Sequence, residues 1–538
     1  MDAGRTITVL DCTLRDGGYY NNWVFDSELV KRYITGARAA GIDAIEIGFR
    51  NPPSGGFLGA FAFSKDKYLA TLDLPREIAF AVMTDAKVLL RDGNPLEVVD
   101  ELYTERSQSP VEIVRIAANI SEVSKLGPAI SRLKDKGYTV CLNIMQVGNK
   151  PPEVISELAK NAASFDGLDV LYFADSFGNM SPDMVIGLIR AIRSEWQGPI
   201  GVHAHDNMNN GLANTLAAFG AGATWLDATV AGMGRGAGNL ATEYLLHALR
   251  NKGFDKYRSE ALLPVLVEDF VDLRRRYGWG PNFLYYLAAL HGIHPTYLQR
   301  LQEPGQLDNE ALINALDYLR SIPSNVFSEE ALSRAMRADK VHIPGTWEAN
   351  GWAEGKDILL IANGHGAMEH RQAIAQFIST HKPQVISLNY VEAISPDLID
   401  AYAVCHPSRL VRDFPAYEAL DCPVFTPVDD FARLFVHLLG EERVNNFGLT
   451  IEPNEFSLRQ TGCTIPMRKV APYALAIAAA SNARQVFLAG FDGFAASDPR
   501  HQEMNMIFDL FRTAFPNLVV TALTPSSYNV SQSSIYAY

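Results

Sequence analysis

The segment Ile200-Gly201-Val202-His203-Ala204-His205-Asp206 reads as a buried strand that ends in chemistry. Strand side chains alternate in direction, so His203 and His205 share one face while Ala204 points to the other. Two imidazoles at that spacing can grip one metal ion. The bland alternative is a pair of hydrogen-bonded structural histidines. Working outward, the same grammar fills the first half of the chain. Short apolar runs at Ile7–Leu10, Ala44–Gly48, Ile78–Met83, Val111–Ala117, Thr139–Ile144, Val170–Ala174, Ile200–Val202 and Trp225–Ala228 predict strands. Helix-like segments such as Ser27–Ala40, Ser121–Lys136 and Pro182–Glu195 lie between them, with apolar residues three and four apart. Such a series of βα units suits a closed (β/α)₈ barrel of roughly 250 residues, and an open doubly wound sheet has the same period. Polar residues favour the barrel. They gather where strands end, at Asp11–Asp16, Glu46, Asn143, Asp175 and Ser176, His203–Asp206 and Arg235–Asn239. A barrel brings all those ends to one mouth, whereas an open sheet spreads them along an edge.

At 538 residues the chain exceeds one hydrophobic core, and we expect three segments. Residues 1–254 form the barrel, 255–345 a helical extension rich in aromatic residues, and 353–538 a second, open Rossmann-like α/β domain. In the last of these the alternation restarts at Ile358–Ala362, Val385–Leu388, Val424–Phe425, Val486–Ala489 and Leu518–Thr521. The net charge of −14 argues against nucleic acid as a partner. Cys12, Cys141, Cys405, Cys422 and Cys463 show no CxxC spacing, so neither a disulfide framework nor a thiolate zinc site is expected. The start, MDAGRTITVLDC, lacks the pattern of a secretory signal, and the most apolar helical stretch, Tyr473–Ala480, is too short to span a bilayer. A cytoplasmic protein without a membrane partner, assembled as a homo-oligomer, is the expectation.

Two further motifs accompany the histidines. Asp11-Cys12-Thr13-Leu14-Arg15-Asp16-Gly17-Gly18 follows the first strand, offering Asp16 as an anionic ligand and Arg15 as a cation for a developing oxyanion. Gly232-Met233-Gly234-Arg235-Gly236-Ala237-Gly238-Asn239 follows the last. No Lys-Ser/Thr pair succeeds it, so it is not a nucleotide P-loop; it can line the floor of the site, with Asn239 reaching the metal.

With Ile45–Phe49, Asp175-Ser176-Phe177-Gly178, His203–Asn207 and Gly232–Glu243, these motifs resemble the DRE-TIM metallolyase superfamily, and within it the pyruvate aldolases of 4-hydroxy-2-oxovalerate type. The resemblance covers about half of the chain. It implies a (β/α)₈ TIM barrel with Asp16, His203 and His205 as metal ligands and Asn239 at a position that ligates metal in some members. It also implies that Arg15 stabilises an enolate and that Ser176 holds the substrate carboxylate, and Asn143 joins Arg15 and Ser176 as a candidate substrate-binding residue. A nitrogen and oxygen ligand set suits Mn²⁺ or Mg²⁺, with Zn²⁺ and Co²⁺ as alternatives. The substrates would be pyruvate and an aldehyde. One position departs from the pattern: the resembled aldolases carry a histidine base where this chain has Tyr19. Either Tyr19 acts as a hydrogen-bond donor, or the proton moves through Glu46, Asp206 or metal-bound water; Tyr19 and Tyr20 could equally just cover the mouth. An acyl-CoA-dependent Claisen condensation ranks second, and a non-catalytic metal-binding scaffold third.

In the second domain, Asn363 and Gly364 follow a buried strand and precede a helix, where backbone amides can hold an anion. Asn389 and Asp492 also end apparent strands, so these four residues are the candidate ligand site for a nucleotide or sugar. The arrangement resembles the Rossmann-like domains of bacterial sialyltransferase-like surface-glycan proteins. That pairing would place the aldolase in making a 2-keto-3-deoxy sugar acid for a surface polysaccharide.

Overall fold

The computed structural model describes residues 5–53, 56–148, 150–302, 309–337, 342–429, 432–495 and 498–538, so the first four residues of the amino-terminal stretch lie outside it. The chain divides into two compact units, Met1–Gln302 with Ser324–Phe327, and Glu303–Pro323 with Ser328–Tyr538.

In the first unit the strands β1 (Thr8–Asp11), β2 (Ala44–Phe49), β3 (Ala79–Asp85), β4 (Ile113–Ala118), β5 (Thr139–Ile144), β6 (Val170–Asp175), β7 (Ile200–Ala204) and β8 (Trp225–Ala228) pair in order and close into a barrel. Closure is parallel, with Thr8 opposite Trp225 and Asp11 opposite Ala228. Strand β4, Ile-Val-Arg-Ile-Ala-Ala, shows why the sequence builds this object. Val114, Ile116 and Ala118 point outward into the large core shared with the helices, whereas Ile113 belongs to the barrel interior. Arg115, between them, also points inward and is fully buried. The interior is therefore layered. Leu10, Ala44, Ala81, Ile113 and Val170 make an apolar floor. Above it lie Glu46, Arg115 and Asp227, and above those the histidines. Helix starts are set locally: Asp26 accepts from the amides of Glu28 and Leu29 to cap Ser27–Ala39, and Ser181 caps Pro182–Arg193 with proline in the first turn.

The segment 255–345, expected as a helical extension, is mostly helical among its described residues but ends in a two-residue strand at His342–Ile343. Helices Phe283–Leu290 and Pro295–Leu301 belong to the first unit, Asn309–Ser321 and Glu329–Arg337 to the second.

The second unit holds β9 (His342–Ile343), β10 (Asp357–Ile361), β11 (Gln384–Leu388), β12 (Ala401–Ala403), β13 (Val424–Phe425), β14 (Val444–Asn445), β15 (Gly448–Ile451), β16 (Ser457–Arg459), β17 (Gly462–Ile465), β18 (Gln485–Ala489), β19 (Val520–Ala522) and β20 (Ser531–Gln532). An open parallel sheet runs β14-β13-β12-β11-β10-β18-β19-β20, as expected for a doubly wound domain. It is wider than the sequence suggests, because β12, β14 and β20 have two or three residues each and leave no periodic trace. A small second sheet, β16-β17-β15-β9, is likewise absent from the sequence reading. Chain order reverses between β10 and β18. That is the switch point, where such sheets bind ligands.

Candidate active site

Strand alternation delivers the histidines as expected. On β7, Val202 and Ala204 join the outer core, while His203 and the following His205 turn into the barrel, their ring centroids 5.1 Å apart. Gly201, below them, is required by crowding: a Cβ there would stand 2.3 Å from the ring of Tyr172. Both histidines line a small cavity at the barrel mouth together with Arg15, Asp16, Tyr19, Asn143 and Ser176.

Asp16 is the hub. Its Oδ1 lies 2.9 Å from Arg15 Nη1, and its Oδ2 accepts from Asn239 Nδ2 at 2.5 Å and stands 3.2 Å from His203 Nε2. Burial works to raise the Asp16 carboxyl, but Arg15, His203 and His205 outweigh it and hold the group well below the usual carboxylate range. Burial disfavours a charged His203, yet its contacts to Asp16 and Asp227 prevail and raise its pKa. His205, pressed by burial and by His203, is held well below the ordinary range and is neutral, with its lone pair available.

A layer of charge beneath the site fixes these groups. Asp227 on β8 holds His203 Nδ1 at 3.0 Å, leaving Nε2 for the cavity. Arg115 contacts Asp227 and lies 3.0 Å from Glu46 Oε1. Glu46 Oε2 in turn accepts from Arg15 Nε at 2.6 Å. Asp227–Arg115–Glu46–Arg15 is thus a continuous chain of ion pairs that aims Arg15 upward. A carboxylate fixing the far nitrogen of a ligand histidine is a known device for setting its tautomer.

The residues considered for proton transfer separate clearly. Glu46 is fully buried between two arginines and is absent from the cavity lining, so it positions Arg15 and does not meet substrate. Asp206 points away and accepts from the amide of Gly211 at 2.8 Å. Tyr19 does line the cavity, packed against Trp23 and Phe49, with Arg235 5.7 Å above its ring. Burial pushes its phenol up to about 12, only partly offset by Arg235, which keeps it protonated near neutral pH. Tyr20 is structural, its hydroxyl donating to Gly236 O at 2.7 Å.

Ser176 accepts from the amide of Gln146 at 3.0 Å, and Asn143 presents a buried Oδ1 without a hydrogen-bond partner. The glycine-rich segment forms the wall that carries Asn239. Gly238 has φ +84°, and a Cβ there would meet Gly232 O at 2.1 Å, so no other residue fits. Three site residues escape the sequence reading, Arg115, Asp227 and Asp85, while Arg235 is legible there as part of the glycine-rich motif but without a role. Arg115 and Asp227 had a signal, a lone charge inside an apolar strand. Arg235 Nη1 lies 3.5 Å from His294 Nε2, which burial and Arg235 push down to about 3, so this imidazole is a neutral acceptor over the mouth.

Among the described residues, the tightly converging group of histidine, cysteine and acidic donors is Cys12, Asp16 and His203. Cys12 is a poor member: burial holds its thiol well above the usual range, and Sγ donates to Ala228 O at 3.4 Å. His205 lies outside that group but on the same cavity, and its Nδ1 and Asn239 Oδ1 are buried without partners. A carboxylate, two imidazoles and an amide oxygen fit a hard or borderline cation.

Residues 102–267 match the HMGL-like family model. The chain is 33% identical over 259 residues to a 4-hydroxy-2-oxovalerate aldolase of Carboxydothermus hydrogenoformans, spanning 47% of this chain and 73% of that one. A 4-hydroxy-2-oxovalerate aldolase of Moorella thermoacetica is 32% identical over 328 residues, 60% of this chain and 94% of its own. The chain belongs to the HMGL-like family, the DRE-TIM metallolyases. It is an enzyme of the lyase class, and the aldolases of its family depend on a divalent metal. A third relative is named differently: an oxaloacetate decarboxylase of Mycobacterium tuberculosis is 30% identical over 272 residues, covering 48% of this chain and 77% of that one. Among the described residues of this HMGL-like lyase, no helix is long and apolar enough to cross a membrane.

The four residues singled out in the second unit also come together. Asn363, Gly364, Asn389 and Asp492 line one cavity of about 610 Å³.

Proposed function

We propose that this lyase is a divalent-metal-dependent class II pyruvate aldolase that forms or cleaves a 4-hydroxy-2-oxo acid. The observation that carries the reading is the convergence of Asp16, His203, His205 and Arg15 on one cavity, with Arg15 aimed by a buried chain of ion pairs. Asp16, His203, His205 and Asn239 would hold the ion, which when bound supplies Lewis acidity to a 2-oxo acid.

The chain's own groups then divide the work. Ser176 and Asn143 bind the carboxylate. Arg15, already charged and oriented, donates to the oxygen that becomes the enolate, so no reorganisation is needed as charge develops. In cleavage the C4 hydroxyl loses its proton, the C3–C4 bond breaks, and its electron pair moves into the enolate while the aldehyde departs. Asp85 is assigned as the proton acceptor. It lines the cavity, its nearest cation is Lys87 at 4.0 Å, and burial raises its pKa toward that of a useful base. Tyr19, which keeps its proton, hydrogen-bonds the aldehyde oxygen.

Exchange of the pyruvate methyl protons with deuterium, followed by NMR, tests the reading. Exchange that is lost with a chelator and restored by Mn²⁺ is expected. Inert pyruvate, with acetyl-CoA consumed in the presence of a 2-oxo acid, would overturn it in favour of acyl transfer.

A further inference from the structure

The second unit carries a crevice larger than the barrel's own cavity, at the carboxyl ends of β10, β11 and β18. It lies at the point where strand order reverses, where loops diverge and leave a natural cleft. Two kinds of group line it.

The first is a pair of acceptors with nothing to accept. Asn389 Oδ1 and Asp492 Oδ1 are buried, have no hydrogen-bond partner, and belong to residues that line the crevice. The backbone is shaped to hold them there. Asn389 adopts φ +58°. Asp492 Oδ2 accepts from the amide of Gly366 at 2.8 Å, an approach that a side chain at Gly364 or Gly366 would block, since a Cβ would stand 2.9 and 2.5 Å from the carboxylate oxygens. Buried acceptors left unpaired cost free energy, so a ligand that donates hydrogen bonds to them is favoured.

The second is positive potential. Lys469 lines the crevice immediately before the helix Val470–Ala480, and Val470 and Ala471 from its first turn line it too. The first-turn amides of an eleven-residue helix and a lysine beside them favour an anion. Arg409 and Arg412 lie on the same lining, and Lys469 Nζ is 3.0 Å from Glu503 Oε2, a surface pair that an incoming anion can exchange.

Hydroxyl donors to satisfy the acceptors and a negative group to meet the cation define one class of molecule. We propose that this crevice binds a phosphate ester bearing free hydroxyl groups, its phosphate at Lys469 and the helix Val470–Ala480, its hydroxyls on Asn389 and Asp492. Sugar phosphates and nucleotides share that chemistry.

The test is titration calorimetry on the full chain with glucose 1-phosphate, uridine diphosphate and inorganic phosphate. At least one ester should bind about ten-fold or more tightly than inorganic phosphate; which of the two does so identifies the source. Lys469→Met should weaken every phosphate-bearing probe by about ten-fold or more, as for loss of a charged hydrogen bond. Asn389→Gly keeps the positive φ and removes the acceptor, so it should erode the preference for the ester over inorganic phosphate. Unchanged thermal unfolding of each variant shows that the unit still folds, and Lys469→Gln replaces Lys469→Met if that variant does not. No binding of any probe at millimolar concentration, inorganic phosphate bound as tightly as both esters, or binding indifferent to both substitutions would overturn the proposal.

Discussion

The barrel mouth and the crevice of the second unit solve opposite problems. In the barrel, strands converge, and charged side chains are pressed together until each is neutralised by a neighbour: Arg15 by Asp16 and Glu46, Arg115 by Glu46 and Asp227. In the open sheet, strands end along an edge, and the crevice keeps acceptors at Asn389 and Asp492 unanswered. A closed sheet thus suits a site that must hold a fixed electrostatic pattern, since every inward residue touches others. An open sheet suits recognition, because its loops can shape a cavity without satisfying it.

The difference can be broken or sharpened by experiment. The largest effect should come from removing the metal from the barrel. Chelation should abolish deuterium exchange into pyruvate, while calorimetric binding in the second unit persists; joint loss would mean that the two sites do not differ in this way. Arg115→Met strands two buried carboxylates and should cost about 3–5 kcal/mol in chemical denaturation of the barrel. No comparable loss is expected for Lys469→Met, whose partner Glu503 is solvent-exposed. Next, Arg15→Met should lower kcat for pyruvate turnover by about 10²–10³-fold with a smaller change in KM, as for removal of one oxyanion donor. Asp227→Asn should leave the fold intact and weaken metal affinity by about 10–100-fold, measured by competition with a chromogenic chelator. Tyr19→Phe should have the smallest effect, about ten-fold or less on turnover, as for one neutral hydrogen bond. Because burial holds the phenol near 12, it stays protonated throughout neutral pH. The wild-type and Tyr19→Phe profiles should therefore share their shape between pH 6 and about 9; a limb lost in the variant would make Tyr19 the base after all.

Much of the barrel was legible because its strands are long and two-faced. Thr139–Ile144 and Trp225–Ala228 are strands with the bounds their sequence predicts. The fixed alternation of a strand made the shared orientation of His203 and His205 readable from His-Ala-His alone. What escaped was anything depending on the rotation of one strand against another. Arg115 and Asp227 are isolated charges in apolar runs, and only barrel closure reveals that they meet. Glu46 was noted as a strand-end group, yet its lock between two arginines depends on three strands at once. In the second unit, β12, β14 and β20 are too short for periodicity, whereas the turn at Asn389 carries a residue that tolerates the positive φ it adopts.

Barrel closure has a consequence in time. Strand β1 leaves the ribosome well before its outer partner β8, where Thr8 is registered on Trp225. At about 5–20 residues per second, synthesis separates the two by roughly 10–45 s. During that interval β1 keeps an open edge, and Asp16 just beyond it has neither His203 nor Asn239 to meet. The barrel mouth is therefore among the last parts of the first unit to be assembled, and a nascent chain stalled before β7 would hold Arg15 with Asp16 and Glu46 but without His203, His205 or Asn239.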